Sequence, residues 1–249
     1  MDITLLCCTH GRPYFLNEAV ECWRRMNKPV GTTCEMLVLN DCPEQTLVGD
    51  IPGVRIVNMP LVGNLSLKMN AGFEEARGDW VAPLDDDDLS LPHRLTESWA
   101  YLLAHPDIMA TRQQRAWVWE YGRITEWERN LFIGSAIFNK RFFFECGACK
   151  KESSTCWDNY IWFKMLETNR VVEIRPTRRT AHLVYRWGGM GFHYSGRMKV
   201  GGAASRLFNI YREGILTDPR FVPGVVEIKP HWNQDYVAMV KDKINKGVK

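Results

Sequence analysis

Four consecutive aspartates, Asp85-Asp86-Asp87-Asp88, close the apolar run Trp80-Val81-Ala82-Pro83-Leu84. Carboxylates this close repel one another, so folding them together calls for a compensating cation. A hard divalent ion with oxygen ligands, Mn2+ or Mg2+, supplies it and can keep coordination positions open for a diphosphate. The plainer alternative is a solvated acidic turn, but the position directly after a strand-like run favours the metal. Two more polar clusters follow apolar runs in the same manner. Thr9-His10-Gly11-Arg12-Pro13 follows Ile3 to Cys8, and Asn40-Asp41-Cys42-Pro43 follows Glu35 to Leu39.

The elements between these clusters indicate how they are brought together. Leu16, Val20 and Trp23 recur on one helical face, and so do Leu65, Met69, Phe73 and Ala76. Pro92 opens a third helical pattern through Leu95, Trp99 and Leu102, and Val54–Asn58 reads as a further strand. Strands separated by helices of this length predict right-handed crossovers and a mostly parallel, Rossmann-like α/β sheet. Ligands of such sheets bind beyond the carboxyl ends of the strands, where all three polar clusters fall. Further along, Ala116 to Tyr121 alternates as a strand with Trp117, Trp119 and Tyr121 on one face. Phe132 to Phe138 reads as a strand before a short helix from Lys140, and another helix begins near Trp157-Asp158. The glycine-rich, basic stretch 188–202 reads as a loop. Of the tryptophans, Trp117, Trp119 and Trp127 are candidates to stack on a sugar or base, although core filling is the commoner use.

Composition sets the outer limits. The 249 residues are 45% hydrophobic and 24% charged, with a formal net charge of +3, which excludes a disordered, collagen-like or coiled-coil chain. No apolar run reaches the roughly 18–20 residues of a membrane span, and Met1 to Cys8 lacks a secretory pattern, so a soluble, cytoplasmic protein is expected. The eight cysteines read as free thiols rather than a disulfide scaffold; Cys146, Cys149 and Cys156 lack a fourth zinc ligand at a standard spacing. Between Lys164 and Arg212 lie ten Lys/Arg and two acids, a local balance of +8. That asymmetry points to an anionic partner or to a solvated basic face.

Taken in order, the motifs resemble the GT-A glycosyltransferases of the large family 2 type over residues 3–104. They are Thr9-His10-Gly11-Arg12-Pro13, then Asn40-Asp41, then Lys68-Met69-Asn70-Ala71-Gly72 through Ala76-Arg77-Gly78, then Leu84-Asp85-Asp86-Asp87-Asp88 with Pro92 and Arg94-Leu95. The resemblance implies a GT-A fold in one domain spanning 1–249, with a nucleotide-sugar half to about residue 104 and an acceptor half beyond. It implies donor binding by Thr9, His10, Arg12, Asn40, Asp41, Lys68, Asn70, Asp85 and Asp86, with Asn40 standing where the family usually has Asp. Metal binding falls to Asp87 with Asp85, and His193 is a candidate further ligand beside Tyr185-Arg186-Trp187. Inverting members place their base on an acidic motif that opens a helix, and Asp158 in Trp157-Asp158-Asn159 matches it; helix capping is the bland alternative. The implied activity is a metal-dependent, inverting transfer from a nucleotide-diphosphate sugar, UDP-sugar favoured, to a glycan hydroxyl. A DNA glycosyltransferase acting on a hydroxylated base is the alternative that the basic segment raises. A non-catalytic sugar-nucleotide or glycan-binding module is a second. A nucleotidyltransferase is disfavoured because Gly11 alone does not make a glycine-rich phosphate loop.

Overall fold

Strand β1 (Ile3–Thr9) sends Ile3, Leu5 and Cys7 into one apolar layer and Leu6 into the opposite one, all four buried. An uninterrupted apolar run is what a strand covered by helices on both faces requires. The computed structural model describes residues 2–128, 133–151, 157–186 and 212–247. After β1 come α1 (Pro13–Arg25), β2 (Cys34–Asn40), β3 (Gln45–Val48), β4 (Val54–Asn58), α2 (Leu65–Glu75), β5 (Trp80–Pro83), β6 (Leu89–Ser90) and α3 (Arg94–Ala104). The chain continues through β7 (Ala110–Gln113), β8 (Arg115–Glu120), β9 (Arg123–Glu128), a 3-10 turn at Ile133–Ser135, β10 (Ile137–Asn139), α4 (Lys140–Glu145) and α5 (Trp157–Leu166). It ends its described course with β11 (Val171–Ile174), β12 (Leu183–Arg186), β13 (Gly224–Glu227) and α6 (Tyr236–Asn245).

The central sheet has seven strands in the order β11-β7-β10-β5-β1-β2-β4. All its pairings are parallel except those of β10, which runs antiparallel between β5 and β7. Helices α1 and α3 cover one face through Leu16, Val20, Trp23, Leu95 and Leu102. Helices α2, α4 and α5 cover the other through Met69, Phe73, Phe143, Ile161 and Trp162. Phe73 and Phe143 stack at 3.8 Å between ring centroids, fixing α2 to α4. A second sheet, β6-β12-β8-β9, carries the short strand that follows the acidic run, and β13 pairs in parallel with β3.

Two local expectations fail for visible reasons. Only Ile137–Asn139 of the stretch 133–138 is strand, because Ser135 Oγ accepts from Gln113 N at 2.9 Å and holds a tight turn instead. Tyr121 leaves the face of Trp117 and Trp119: with φ of 48° beside Gly122 at 78°, it forms the two-residue turn of the β8–β9 hairpin and is 73% exposed. Trp117, by contrast, is fully buried as core. All seven described cysteines are free thiols.

Candidate active site

In the β1–β2 ladder Thr9 lies opposite Asn40, so the two polar turns that follow leave the sheet side by side. Strand β5 pairs with the other side of β1 and leads through Leu84 into the acidic run. The folding of three apolar strands into one parallel block therefore gathers the three clusters without any further device.

The four aspartates divide by alternation. Asp86 is 1% exposed; it accepts from Thr9 Oγ1 at 2.6 Å and Arg12 Nε at 3.2 Å, and pairs through its other oxygen with Arg12 Nη2. Asp88 is equally buried and accepts the Arg186 backbone N–H at 2.9 Å. Burial, reinforced by Asp87 and Asp85, pushes the Asp88 carboxyl well above the usual range. Asp85 is the least buried of the four, and burial followed by the charges of Asp87, Asp86 and Asp158 pushes it up to about 7. Asp87 receives Arg12 Nη1 on Oδ2 at 3.0 Å. Thus Asp86 and Asp88 are turned to protein partners, Arg12 bridges Asp86 and Asp87, and Asp85 is crowded by like charge. Hard, anionic oxygens with a shortfall of positive charge fit Mn2+ or Mg2+. Among the described residues no three His, Cys, Asp or Glu side chains form a metal cluster, so further coordination would fall to ligand oxygens.

The neighbouring turn is equally well tied. Lys68, on α2 and 5% exposed, reaches both Asp41 Oδ1 at 2.6 Å and the carbonyl of Thr9, cross-linking the ends of β2 and β1. His10 Nδ1 lies 2.9 Å from the same Asp41 oxygen, and Val62 N donates to Oδ2 at 3.3 Å. Burial alone would raise Asp41, but the Lys68 charge and His10 outweigh it and hold this carboxyl well below the usual range. Asp41 is consequently a fixed anion beside the cleft.

Two of the expected donor-binding side chains have internal partners. Asn40 Nδ2 donates to Gln45 O and Asn58 Oδ1, both at 3.0 Å, and its Oδ1 accepts from Cys42 N at 3.2 Å; it shapes the turn that presents Asp41. Asn70 exchanges two 2.9 Å hydrogen bonds with the backbone of Cys149, and Asn64, the N-cap of α2, donates to Lys151 O at 3.0 Å. These contacts dock the segment that precedes α5 onto α2 and its N-cap. His193 lies outside the described residues.

Asp158 stands in the first turn of α5 and is partly exposed. The backbone N–H groups of Asn159 and Asp158 at the helix start favour its charged form. Its charge is among the causes that raise Asp85, so the two carboxylates lie within electrostatic range of each other. Burial raises the Asp158 carboxyl despite those N–H groups and the Arg112 charge. Arg112 lies beneath, held by Glu173 Oε1 through Nε at 3.0 Å and lying 4.4 Å from the Trp162 ring centroid. Sequence reading did not find Arg112 or Glu18. The signal for Glu18 was an acid among the apolar residues of α1 between Phe15 and Cys22, a stretch that also buries Glu21.

Comparison with known proteins identifies the family to which this α/β fold with acidic strand ends belongs. Residues 5–154 match the family described as Glycosyl transferase family 2, and the chain belongs to that family. Its fold is that of the GT-A glycosyltransferases. TarS residues 1–349 from S. aureus superpose with a TM-score of 0.59 at 15% identity, over 75% of this chain and 60% of that one. The same TarS fragment in complex with UDP-GlcNAc gives 0.61 at 13% identity, over 88% and 68%. The mannosyltransferase PcManGT from Pyrobaculum calidifontis, in complex with GDP-Man and Mn2+, gives 0.55 at 13% identity, over 85% and 68%. In sequence, the chain is 26% identical over 173 residues to the uncharacterized protein y4gI of Sinorhizobium fredii (strain NBRC 101917 / NGR234), covering 61% of this chain. It spans only 19% of that relative's length.

Proposed function

We propose that this protein transfers a sugar from a nucleotide-diphosphate donor to a hydroxyl acceptor, with inversion at the anomeric carbon and with a divalent metal on Asp87 and Asp85. The observation that carries the reading is the meeting of three polar clusters at the ends of β1, β2 and β5, with the charge of Asp158, at the start of α5, acting on Asp85. Asp41, Lys68, His10 and Thr9 form the wall beside which the nucleotide binds, and Asp85 faces its sugar end. Asp158 takes the acceptor proton as the oxygen attacks from the opposite face; burial raises its affinity for protons, the direction a general base needs. A bound Mn2+ or Mg2+ would neutralise the departing diphosphate. UDP-sugars and GDP-sugars are both supported as donors by the ligands of the structural neighbours. The acceptor we propose is a glycan hydroxyl, and the charge of +8 between Lys164 and Arg212 suits one that carries anionic groups.

The test is thermal-shift binding of UDP, GDP and their sugars with and without Mn2+, followed by donor turnover with and without acceptor. Specific donor binding raises the melting temperature by mass action, and Mn2+ is expected to enlarge the shift. No shift with any nucleotide in the presence of Mn2+ would remove the donor site. A DNA acceptor would instead announce itself as nucleic-acid binding that weakens steeply with salt.

A further inference from the structure

We infer that Arg12 is a positioning residue for the metal-binding carboxylate, an internal counter-ion that sets the plane of Asp87 rather than a donor contact. This rests on the metal reading given above. The left-handed φ of 66° at Gly11 turns the chain immediately before Arg12, and a Cβ there would lie 2.7 Å from Ile215 Cγ2. From that turn the guanidinium enters the acidic run and is only 7% exposed. Its Nε and Nη2 grip both oxygens of Asp86, and Nη1 reaches Asp87 Oδ2 at 3.0 Å. The Phe15 ring lies 5.8 Å from the guanidinium carbon and backs it on one side.

Three bonds from one rigid plane to two adjacent carboxylates fix their orientation relative to each other. A flexible ammonium has one nitrogen and cannot reproduce the fork. The bidentate share of the grip goes to Asp86, which Thr9 also holds, so Asp86 is the anchor. Arg12 reaches Asp87 through Nη1, which ties the orientation of Asp87 to that of its anchored neighbour. Groups that hydrogen-bond a metal-ligating carboxylate in this way tune affinity by orienting the ligand. The arrangement also explains how a run of four acids is tolerated: one cation is built into it.

The experiment is a Mn2+ titration, read by the electron paramagnetic resonance of free Mn2+, on wild type, Arg12→Lys and Arg12→Ala. It is run with Mn2+ alone and with UDP or GDP, and nucleotide affinity is measured separately in chelator. Both variants are expected to bind Mn2+ on the order of 10–100-fold more weakly, with metal-free nucleotide affinity unchanged. Ethylguanidinium added to Arg12→Ala is expected to restore part of the Mn2+ affinity. Should the alanine variant fail to fold, the lysine variant, which keeps the charge, decides the matter. Equal Mn2+ affinity in wild type and a folded variant overturns the inference while leaving the metal reading intact. Tighter Mn2+ binding also overturns it, because Arg12 would then be a competitor of the metal. Failure of wild type to take up Mn2+ under every condition overturns both.

Discussion

Asp86 and Asp87 are neighbours in sequence, yet Arg12 grips one through Nε and Nη2, beside the Thr9 hydroxyl, and reaches the other through Nη1. That difference predicts what substitution does. Asp87→Ala is expected to abolish measurable turnover while the protein remains folded, because Arg12 keeps its bidentate partner; circular dichroism and donor turnover check both parts. Asp158→Asn preserves the α5 start and is expected to retain donor binding while lowering kcat by about 10²–10⁴. Isothermal titration beside a transfer assay separates the two effects, and unimpaired transfer would send the base assignment elsewhere. A third residue gives a pH effect away from the cleft. His182 is 1% exposed, neither ring nitrogen has a hydrogen-bond partner among the described residues, and burial beside Arg94 and His93 drives its pKa well below 6.5. It stays neutral in the fold but takes a proton in the unfolded chain, so stability is fully present above about pH 6.5 and declines as pH falls below it. The slope from this one group approaches about 1.4 kcal/mol per pH unit, and His182→Phe is expected to flatten the melting-temperature profile between pH 6.5 and 5. The types and spacing of the cleft residues were legible in sequence. Whether Asn40 and Asn70 faced a ligand or the backbone was not, since an amide's partners, such as Cys149, come from remote segments.

At the scale of elements, the long periodic segments were readable and the short ones were not. Helices α1 and α2 and strands β1, β2 and β4 follow apolar runs or stripes with clear stops. Strands β6, β7, β11, β12 and β13 have two to four residues each and are ordered by their neighbours rather than by pattern. The antiparallel β10 is likewise set by its place between β5 and β7, not by anything local. The packing of α2 against β1 depends on glycine at two positions that differ in tolerance. A Cβ at Gly78 would stand 2.6 Å from Thr4 N and 2.7 Å from Ile3 C, both backbone atoms of β1. At Gly72 it would meet the Leu6 methyls at 2.7 and 2.8 Å, and a leucine can turn aside. Gly78→Ala is therefore expected to cost about 1–3 kcal/mol and Gly72→Ala less, as read from urea unfolding.

Across the whole molecule the site half is completed by chain that lies far away in sequence. Glu18 on α1, 1% exposed, pairs with Arg186 Nη1, accepts Tyr236 Oη at 2.8 Å and Asn233 N at 3.0 Å, and its carbonyl accepts Trp232 Nε1 at 3.2 Å. Arg186 in turn donates its backbone N–H to Asp88, so Tyr236 of α6 is connected with the acidic run through three successive bonds. Glu18→Ala leaves a buried guanidinium without its carboxylate and is expected to lower stability by about 3–5 kcal/mol in chemical denaturation. Tyr236→Phe removes one hydrogen bond and is expected to cost about 0.5–1.5 kcal/mol.

The pairing of β3 with β13 has a consequence for biosynthesis. Gln45 leaves the ribosome well before its ladder partner Gly224, and Glu18 precedes Tyr236 by 218 positions. Until the later segments emerge, the nascent donor half carries an unsatisfied strand edge and an acid with nowhere to be buried, two features that attract wrong partners. Closing contacts over such separations is slow, so the β3 edge is expected to stay open until Gly224–Glu227 has been made.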